Sequence, residues 1–282
     1  MNTLYLVATP IGNLEDITLR ALRVLREATL IAAEDTRHTR QLLAHYDIAT
    51  RCLSYHEHNR LARLDTVLAA LATGDVALVS DAGTPALSDP GSELVAACIA
   101  AGYTVSPIPG PSAPIAALVA SGVSTEQFFF AGFLPRRRTE RRAALDSLAN
   151  LPASLICFEA PHRLVDWLTD ALDILGDRPI TIARELTKLH EEFLRCTIGE
   201  ALAHYQEQQP RGEYTLVVAG AAPPDPPEAD EATMLHRMQE LHTQGHSSSA
   251  AARIVAKEAG VHKSVVYQLW LNRDSDSSQE MV

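Results

Sequence analysis

The sequence predicts an α/β protein with two sheet-bearing domains followed by a small helical module, and three observations carry that expectation. Short β-branched apolar runs alternate with helix-period segments through the first hundred residues, the pattern of a largely parallel sheet. A second set of such runs begins after residue 125. The segment PPDPPEADE at 223–231 then breaks the pattern with four prolines and four acids, a composition that stiffens a chain and prevents a packed core.

In order, residues 3–8, 29–33 and 75–80 read as strands, separated by helical patterns over 17–27, 36–46 and 60–73. Gly74 closes the third of those helices, and Pro90 and Gly102 bracket another at 91–101, Pro90 as its first residue. A helix of small residues and a Gly-Val-Ser-Thr turn lead across 112–126 into strands at 127–132, 154–159, 179–185 and 213–219, with helices at 138–150 and 161–175. Beyond the acidic segment, 233–243 reads as a helix, Ser248 or Ser249 caps a second, Gly260 ends it, and 263–271 forms a third. Small Ala251, Gly260 in the turn and Val266 give the spacing of a helix-turn-helix. The expected division is therefore 1–120, 121–222, a linker at 223–231, a helix-turn-helix module at 232–273 and a disordered tail at 274–282.

At 282 residues and 46% hydrophobic, the chain can bury a large core. No apolar run reaches the roughly 18 residues of a membrane span, and 4–8 is too short for an export signal, so a cytoplasmic protein without membrane attachment is expected. Cys52, Cys98, Cys157 and Cys196 lie far apart with no C-x-x-C pair, which fits a reducing compartment. The net charge of −11 argues against a nucleic-acid binder until its distribution is read. RRRTERR at 136–142 is a basic patch, and 232–273 carries five bases against two acids.

No two of the fourteen glycines stand two positions apart, so every G-x-G loop is excluded, and G-x-x-x-x-G-K-[ST] is missing too. A ligand must then be held by strand-end loops. Three qualify: TPIGNL at 9–14, where Pro10 stiffens the turn and Gly12 admits close backbone; SDAGTPALSDPG at 80–91, with Asp81 and Asp89; and IPGPSAP at 108–114, where Ser112 reads as an N-cap. The last falls short of a nucleophile elbow because Pro114 replaces the final glycine of G-x-S-x-G. His56-Glu57-His58 lacks a third metal ligand and reads as hydrogen-bonding, so no metal is expected. RELTKLHEE at 184–192 gathers ionisable groups at a strand end.

LYLVATPIGNLEDIT, AEDTR, HEHN, SDAGTPALSDPG, PGPSA, FAGFLPRRR, FEAPHRL, ARELTKLHEE and RGEYTLVVAG occur in this order across residues 1–220. Together they resemble the bacterial small-subunit rRNA ribose 2′-O-methyltransferases of the tetrapyrrole-methylase fold, with Arg136 where lysine is expected. The resemblance implies two α/β domains of the tetrapyrrole-methylase type, S-adenosylmethionine in a cleft between them, a homodimer, and a cytidine in the decoding region of 16S rRNA as substrate. It implies donor binding by Pro10, Asp81, Gly83, Thr84, Ser112, Ala113, Phe158, Glu159 and Arg184. RNA would approach over Arg37, Arg136, Arg137, Arg138, Arg141 and Arg142, where guanidinium groups suit phosphate. Glu185, Lys188 and Asp35 are the candidates for taking the hydroxyl proton. Two rival readings are a methyltransferase of the same fold acting on a tetrapyrrole or protein side chain, and a DNA-binding regulator whose α/β part senses a metabolite.

Overall fold

A computed structural model describes residues 2–222 and 230–276, and within them the chain separates into two compact units, 1–221 and 222–282. In the first unit, five parallel strands, β1 (Thr3–Val7), β2 (Leu30–Ala33), β3 (Cys52–Ser54), β4 (Val76–Val79) and β5 (Thr104–Ile108), form a sheet ordered β3-β2-β4-β1-β5. Helices α1 (Leu19–Glu27), α2 (Thr36–His45), α3 (Arg60–Thr73) and α4 (Ser92–Ala100) connect them. Both faces of the sheet are covered: Leu22, Leu25 and Leu43 pack on one, Val67, Leu71 and Leu94 on the other. That double burial explains why β2 and β4 are buried at every position and read as unbroken apolar runs.

Two strands of this sheet escape the sequence pattern. β3 is only three residues long, and β5 contains Pro107, which a central strand would not tolerate. Both lie at the sheet edges, where proline costs no ladder hydrogen bond that matters. α4 begins at Ser92 with Gly91 at its cap, so Pro90 lies outside the helix and Asp89 does not cap it.

The second sheet is mixed. Its strands β6 (Phe128–Phe133), β7 (Ser154–Glu159), β8 (Pro179–Arg184), β9 (Glu192–Thr197) and β10 (Tyr214–Val218) are ordered β6-β7-β10-β8-β9, with only β6 and β7 parallel. One face carries a core around Leu145, Trp167, Leu168, Ile198 and Tyr205, which belong to α6 (Arg138–Leu148), α7 (Leu164–Leu175) and α8 (Ile198–Glu207). The other face carries α5 (Ala113–Ser121), whose Ala117 and Leu118 meet Ile156, Ala183 and Val217. Thr181 Oγ1 fixes this contact by donating to the Ser121 carbonyl at 2.9 Å. The expected division between 120 and 121 thus cuts a helix that packs on the second sheet. α5 is apolar nearly all round, so its pattern could not say which sheet it would cover.

Described by itself, the second unit consists of α9 (Glu231–Thr243), α10 (Ser248–Ala259) and α11 (Lys263–Asp276) around Met234, Met238, Val255, Val266 and Trp270. Ser247, not Ser248 or Ser249, caps α10 by accepting from the Ala250 N–H. Gly260 ends that helix with a left-handed φ of 67°. Of the expected linker, Asp230 caps α9 and Glu231 opens it, while 223–229 lies outside the described residues. Of the expected tail, 274–276 continues α11, and 277–282 lies outside the described residues.

Candidate active site

Parallel strands deliver their following loops to one end of a sheet. Here the adjacent strands β2, β4, β1 and β5 place Glu34, the 80–91 loop, Ile11 and Ser112 around a single cavity of about 390 Å³. The opposite wall comes from the second sheet: Phe133 on β6, 158–161 at the end of β7 and just beyond it, Leu186 after β8, and 212–215 at the start of β10. Seven of the nine donor-binding residues expected from the sequence line it, namely Asp81, Gly83, Thr84, Ser112, Ala113, Phe158 and Glu159. Pro10 lines a neighbouring cavity of about 360 Å³ together with Lys188. Arg184 lines neither, since its guanidinium donates to Glu192 on β9 at 3.0 Å.

The loops are held tightly. Thr9 and Gly83 exchange backbone hydrogen bonds of 2.9 and 3.0 Å, stitching the loops after β1 and β4 together. Gly83 does this at φ 80°, a conformation that penalises any side chain. Thr84 Oγ1 donates to the Pro111 carbonyl at 3.3 Å, which ties in the loop after β5. Ser112 stands at the N-cap of α5 without a side-chain capping bond, and the residue lines the cavity. Among the described residues, five non-glycines have positive φ, and four of them, Ala86, Ser88, Glu185 and Thr187, lie in the two loops bordering the cavities. Each such residue costs about 1–2 kcal/mol, and strain of this kind gathers at functional sites.

The cavity is rich in negative charge. Burial raises the Glu34 carboxyl, aided by the Asp81 charge against a hydrogen bond from the Asp81 N–H. Asp89 is pushed up to about 6, chiefly by burial, with a Ser80 hydrogen bond opposing and the Glu34 and Asp81 charges adding. No lysine or arginine among the described residues forms an ion pair with Glu34, Asp81 or Asp89. Glu159 is buried beside Arg163 at 3.2 Å, yet its Oε2 has no hydrogen-bond partner. Such an oxygen is costly unless a ligand donates to it. Phe133 and Phe158, with ring centroids 5.3 Å apart, add an aromatic wall. A cavity with unpaired carboxylates and an aromatic surface suits a cationic ligand that also carries a flat ring.

The profile of the tetrapyrrole (corrin/porphyrin) methylases matches residues 3–202. The chain belongs to that family. A relative from Synechocystis sp. named ribosomal RNA small subunit methyltransferase I is 50% identical over 278 residues, covering 98% of this methylase and 100% of its own length. One of the same name from Halalkalibacterium halodurans is 49% identical over 95% of this chain and 94% of its own. Among solved structures, the uroporphyrin-III C-methyltransferase of Thermus thermophilus complexed with S-adenosylhomocysteine aligns with a TM-score of 0.56 at 20% identity, over 77% of this chain and 97% of that one. A cobalt precorrin-4 methyltransferase aligns at 0.59 with 17% identity, over 77% and 94%. At those identities the structures speak for the fold.

The ionisable groups of this methylase that read as catalytic in sequence have distinct surroundings. Asp35 caps α2 and accepts from Arg37 through both carboxylate oxygens, the shortest contact being 2.6 Å. Those hydrogen bonds hold its carboxyl far below the usual range, which makes it a poor proton acceptor and also occupies Arg37. Lys188 Nζ donates to Glu185 and to Glu213, each at 3.0 Å. Burial works to lower the Lys188 pKa, but the two carboxylates outweigh it and keep the group an ammonium. In this structure Lys188 thus stands as a hydrogen-bond donor to two carboxylates. Glu185 lines neither cavity and sits behind Lys188, whereas Glu213 lines both.

The arginine run divides in two. Arg136 and Arg137 are exposed. Arg141 is 3% exposed, and its Nε and Nη2 donate to Asp170 at 2.9 and 2.7 Å, so it faces the interior and not RNA. Arg138 and Arg142 donate to the other Asp170 oxygen at 3.0 and 3.2 Å from more exposed positions. Glu213 and Phe133 escaped the sequence reading as site residues, and Glu34, read within AEDTR as part of the RNA approach, was not expected in the larger cavity. Glu34 directly follows β2, so the strand-end argument applied to the other loops would have found it. Glu213 carries no such local sign, because its place depends on β10 pairing with β7 and β8.

Proposed function

We propose that this methylase transfers a methyl group from S-adenosylmethionine to the ribose 2′-oxygen of a cytidine in 16S rRNA, acting in the cytoplasm as a homodimer. The observation that carries the reading is 50% identity, over essentially the full length of both chains, to a relative named for methylating small-subunit ribosomal RNA. The cavity supports it, because its residues fit the donor's charges. Asp81, Asp89 and Glu159 would face the donor's ammonium and sulfonium charges, with Ser112, Ala113 and 212–215 along the adenosine. The bound donor supplies an electrophilic methyl on a sulfonium, so the chain need not add charge to it.

What the chain must do is hold the acceptor oxygen in line and receive its proton, and positioning alone can account for many orders of magnitude in rate. We assign Lys188 to donating a hydrogen bond to the incoming ribose or phosphate, Glu185 to positioning Lys188, and Glu213 to receiving the proton. Arg136 and Arg137 would contact phosphate. The three helices α9 to α11 would act as a helix-turn-helix module gripping RNA, separate from two α/β domains that enclose the donor cleft.

Labelled donor incubated with purified small subunits tests the reading. Label should appear in 16S rRNA, at a ribose that then resists alkaline cleavage 3′ to a cytidine. Label in a tetrapyrrole or protein and none in rRNA would overturn it. Cutting the chain after Ala222 should spare donor binding and weaken subunit binding if the helical module grips RNA, whereas full affinity in the truncated protein would refute that role.

A further inference from the structure

The second cavity has no assigned occupant. It is walled by the 10–14 turn after β1 on one side and by α2 on the other, with Lys188 at its edge. It shares Ile11, Asp81, Ala82 and Glu213 with the larger cavity, so molecules filling the two spaces would lie side by side. That is the arrangement a group transfer between two ligands requires. At about 360 Å³ it falls within the roughly 300–1,000 Å³ of small-ligand sites, and a base-paired duplex could not enter it.

Its lining indicates what would enter. His38, Gln41 and Leu42 lie at i, i+3 and i+4 on α2 and so share one face of that helix. Neither the Gln41 amide nor the His38 ring takes part in any side-chain hydrogen bond with the described residues, and both are exposed. A carboxamide presents a donor and an acceptor side by side, which matches the edge of a nucleobase. Across from them, Pro10 and Leu14 offer an apolar surface for the face of a ring, and the Lys188 ammonium offers a charge for a phosphate or ribose oxygen. Gly12 keeps the floor close: a Cβ there would come within 2.5–2.8 Å of Lys188, Thr187 and the Leu186 carbonyl. The loop carrying Lys188 is thereby pressed against the turn that carries Pro10.

We propose that this second cavity receives the acceptor nucleoside of single-stranded or locally unpaired RNA, with Gln41 hydrogen-bonding the base edge and Leu14 packing on the base. Enzymes acting on a nucleotide inside a concave site take it out of its stack, and unpaired RNA bases are read on these edges. The inference rests on the reading of the protein as an RNA methyltransferase using S-adenosylmethionine.

The test uses the full chain and two surface substitutions, Gln41→Leu, which removes the amide, and Leu14→Trp, which fills the cavity. Each is assayed for S-adenosylmethionine binding by calorimetry and for single-turnover methyl transfer to small ribosomal subunits. The expected result is donor affinity within about twofold of wild type and transfer at limiting RNA reduced on the order of tenfold for Gln41→Leu, the loss of one base-edge contact, and further for Leu14→Trp. Normal transfer by both variants would overturn the proposal, as would an equal loss of donor affinity, which would make the cavity part of the donor site. Failure of the wild-type chain to methylate rRNA would instead remove the underlying reading, so the two failures are distinct.

Discussion

Asp170 accepts from three arginines at once, and its removal should be far more damaging than its position on a surface-facing helix suggests. Its side chain is 0% exposed by residue, one oxygen accepts twice from Arg141, and the other accepts from Arg138 and Arg142. Asp170→Ala leaves the guanidinium of Arg141 buried without a counter-charge, a defect that costs about 3–5 kcal/mol. At roughly 2–4 °C per kcal/mol for a unit of this size, the melting temperature falls by about 6–20 °C. Arg141→Met is the informative contrast. It removes the buried cation but leaves Asp170 with Arg138 and Arg142, so the loss should be smaller, about 1–3 kcal/mol. Urea titration followed by tryptophan emission reports the change, because Trp167 is fully buried one turn away on the same helix. The sign of the pH dependence follows as well. Burial acts to raise the Asp170 pKa, but the three arginines overcome it and hold the group below its ordinary 3.8. Its contribution is therefore complete above about pH 4 and lost as pH falls through the folded-state value. A loss under 1 kcal/mol for Asp170→Ala, or a larger loss for Arg141→Met, would refute this account of the cluster.

Three further outcomes are expected. Asp89, with its folded-state pKa pushed up to about 6 from 3.8, ionises more easily unfolded than folded, so it subtracts stability as pH rises from about 4 through 6; Asp89→Asn should thus gain on wild type in thermal melts at pH 7.5 but not at pH 4, and a constant difference would contradict the assignment. Replacing Arg136 and Arg137 with Gln should lower RNA affinity and flatten its salt dependence by about 1.5 in log–log slope, with donor affinity intact; an unchanged slope would show that neither guanidinium meets phosphate. Ala86→Gly, at a residue with φ 67°, should stabilise the protein by about 0.5–1 kcal/mol after the entropy cost of glycine, yet weaken donor binding measured by calorimetry if that strained loop is preorganised for its ligand.

How much of this was legible in the sequence depends on range. Strands buried on both faces, such as β2 and β4, announce themselves because every residue is apolar. The edge strand β9 begins with charge and none of its residues is buried, so its six residues merged with the ionisable run before them. The loops of the larger cavity at 80–91 and 108–114 were legible because glycine, proline and aspartate concentrate there for turn chemistry. Arg141 was not distinguishable from Arg142, since the buried partner that separates them lies 29 residues downstream. Lys188 and Glu185 were legible as candidates, but only the fold shows that Lys188 donates to Glu213 as well as to Glu185.

The strand order of the second sheet bears on how the chain emerges during synthesis. The first sheet has all five strands once Ile108 has been made, and its parallel ladders can close while the rest is still being translated. The second cannot, because β10, the last of its strands to be made, occupies the centre between β7 and β8. Until residue 218 leaves the ribosome, those two strands present unpaired inner edges and an apolar face, the condition under which nascent chains associate wrongly. A pause in translation between β8 and β10 would prolong that interval, and a nascent protein arrested there would carry a finished first sheet beside an unfinished second one, with the 212–215 wall of the larger cavity still missing.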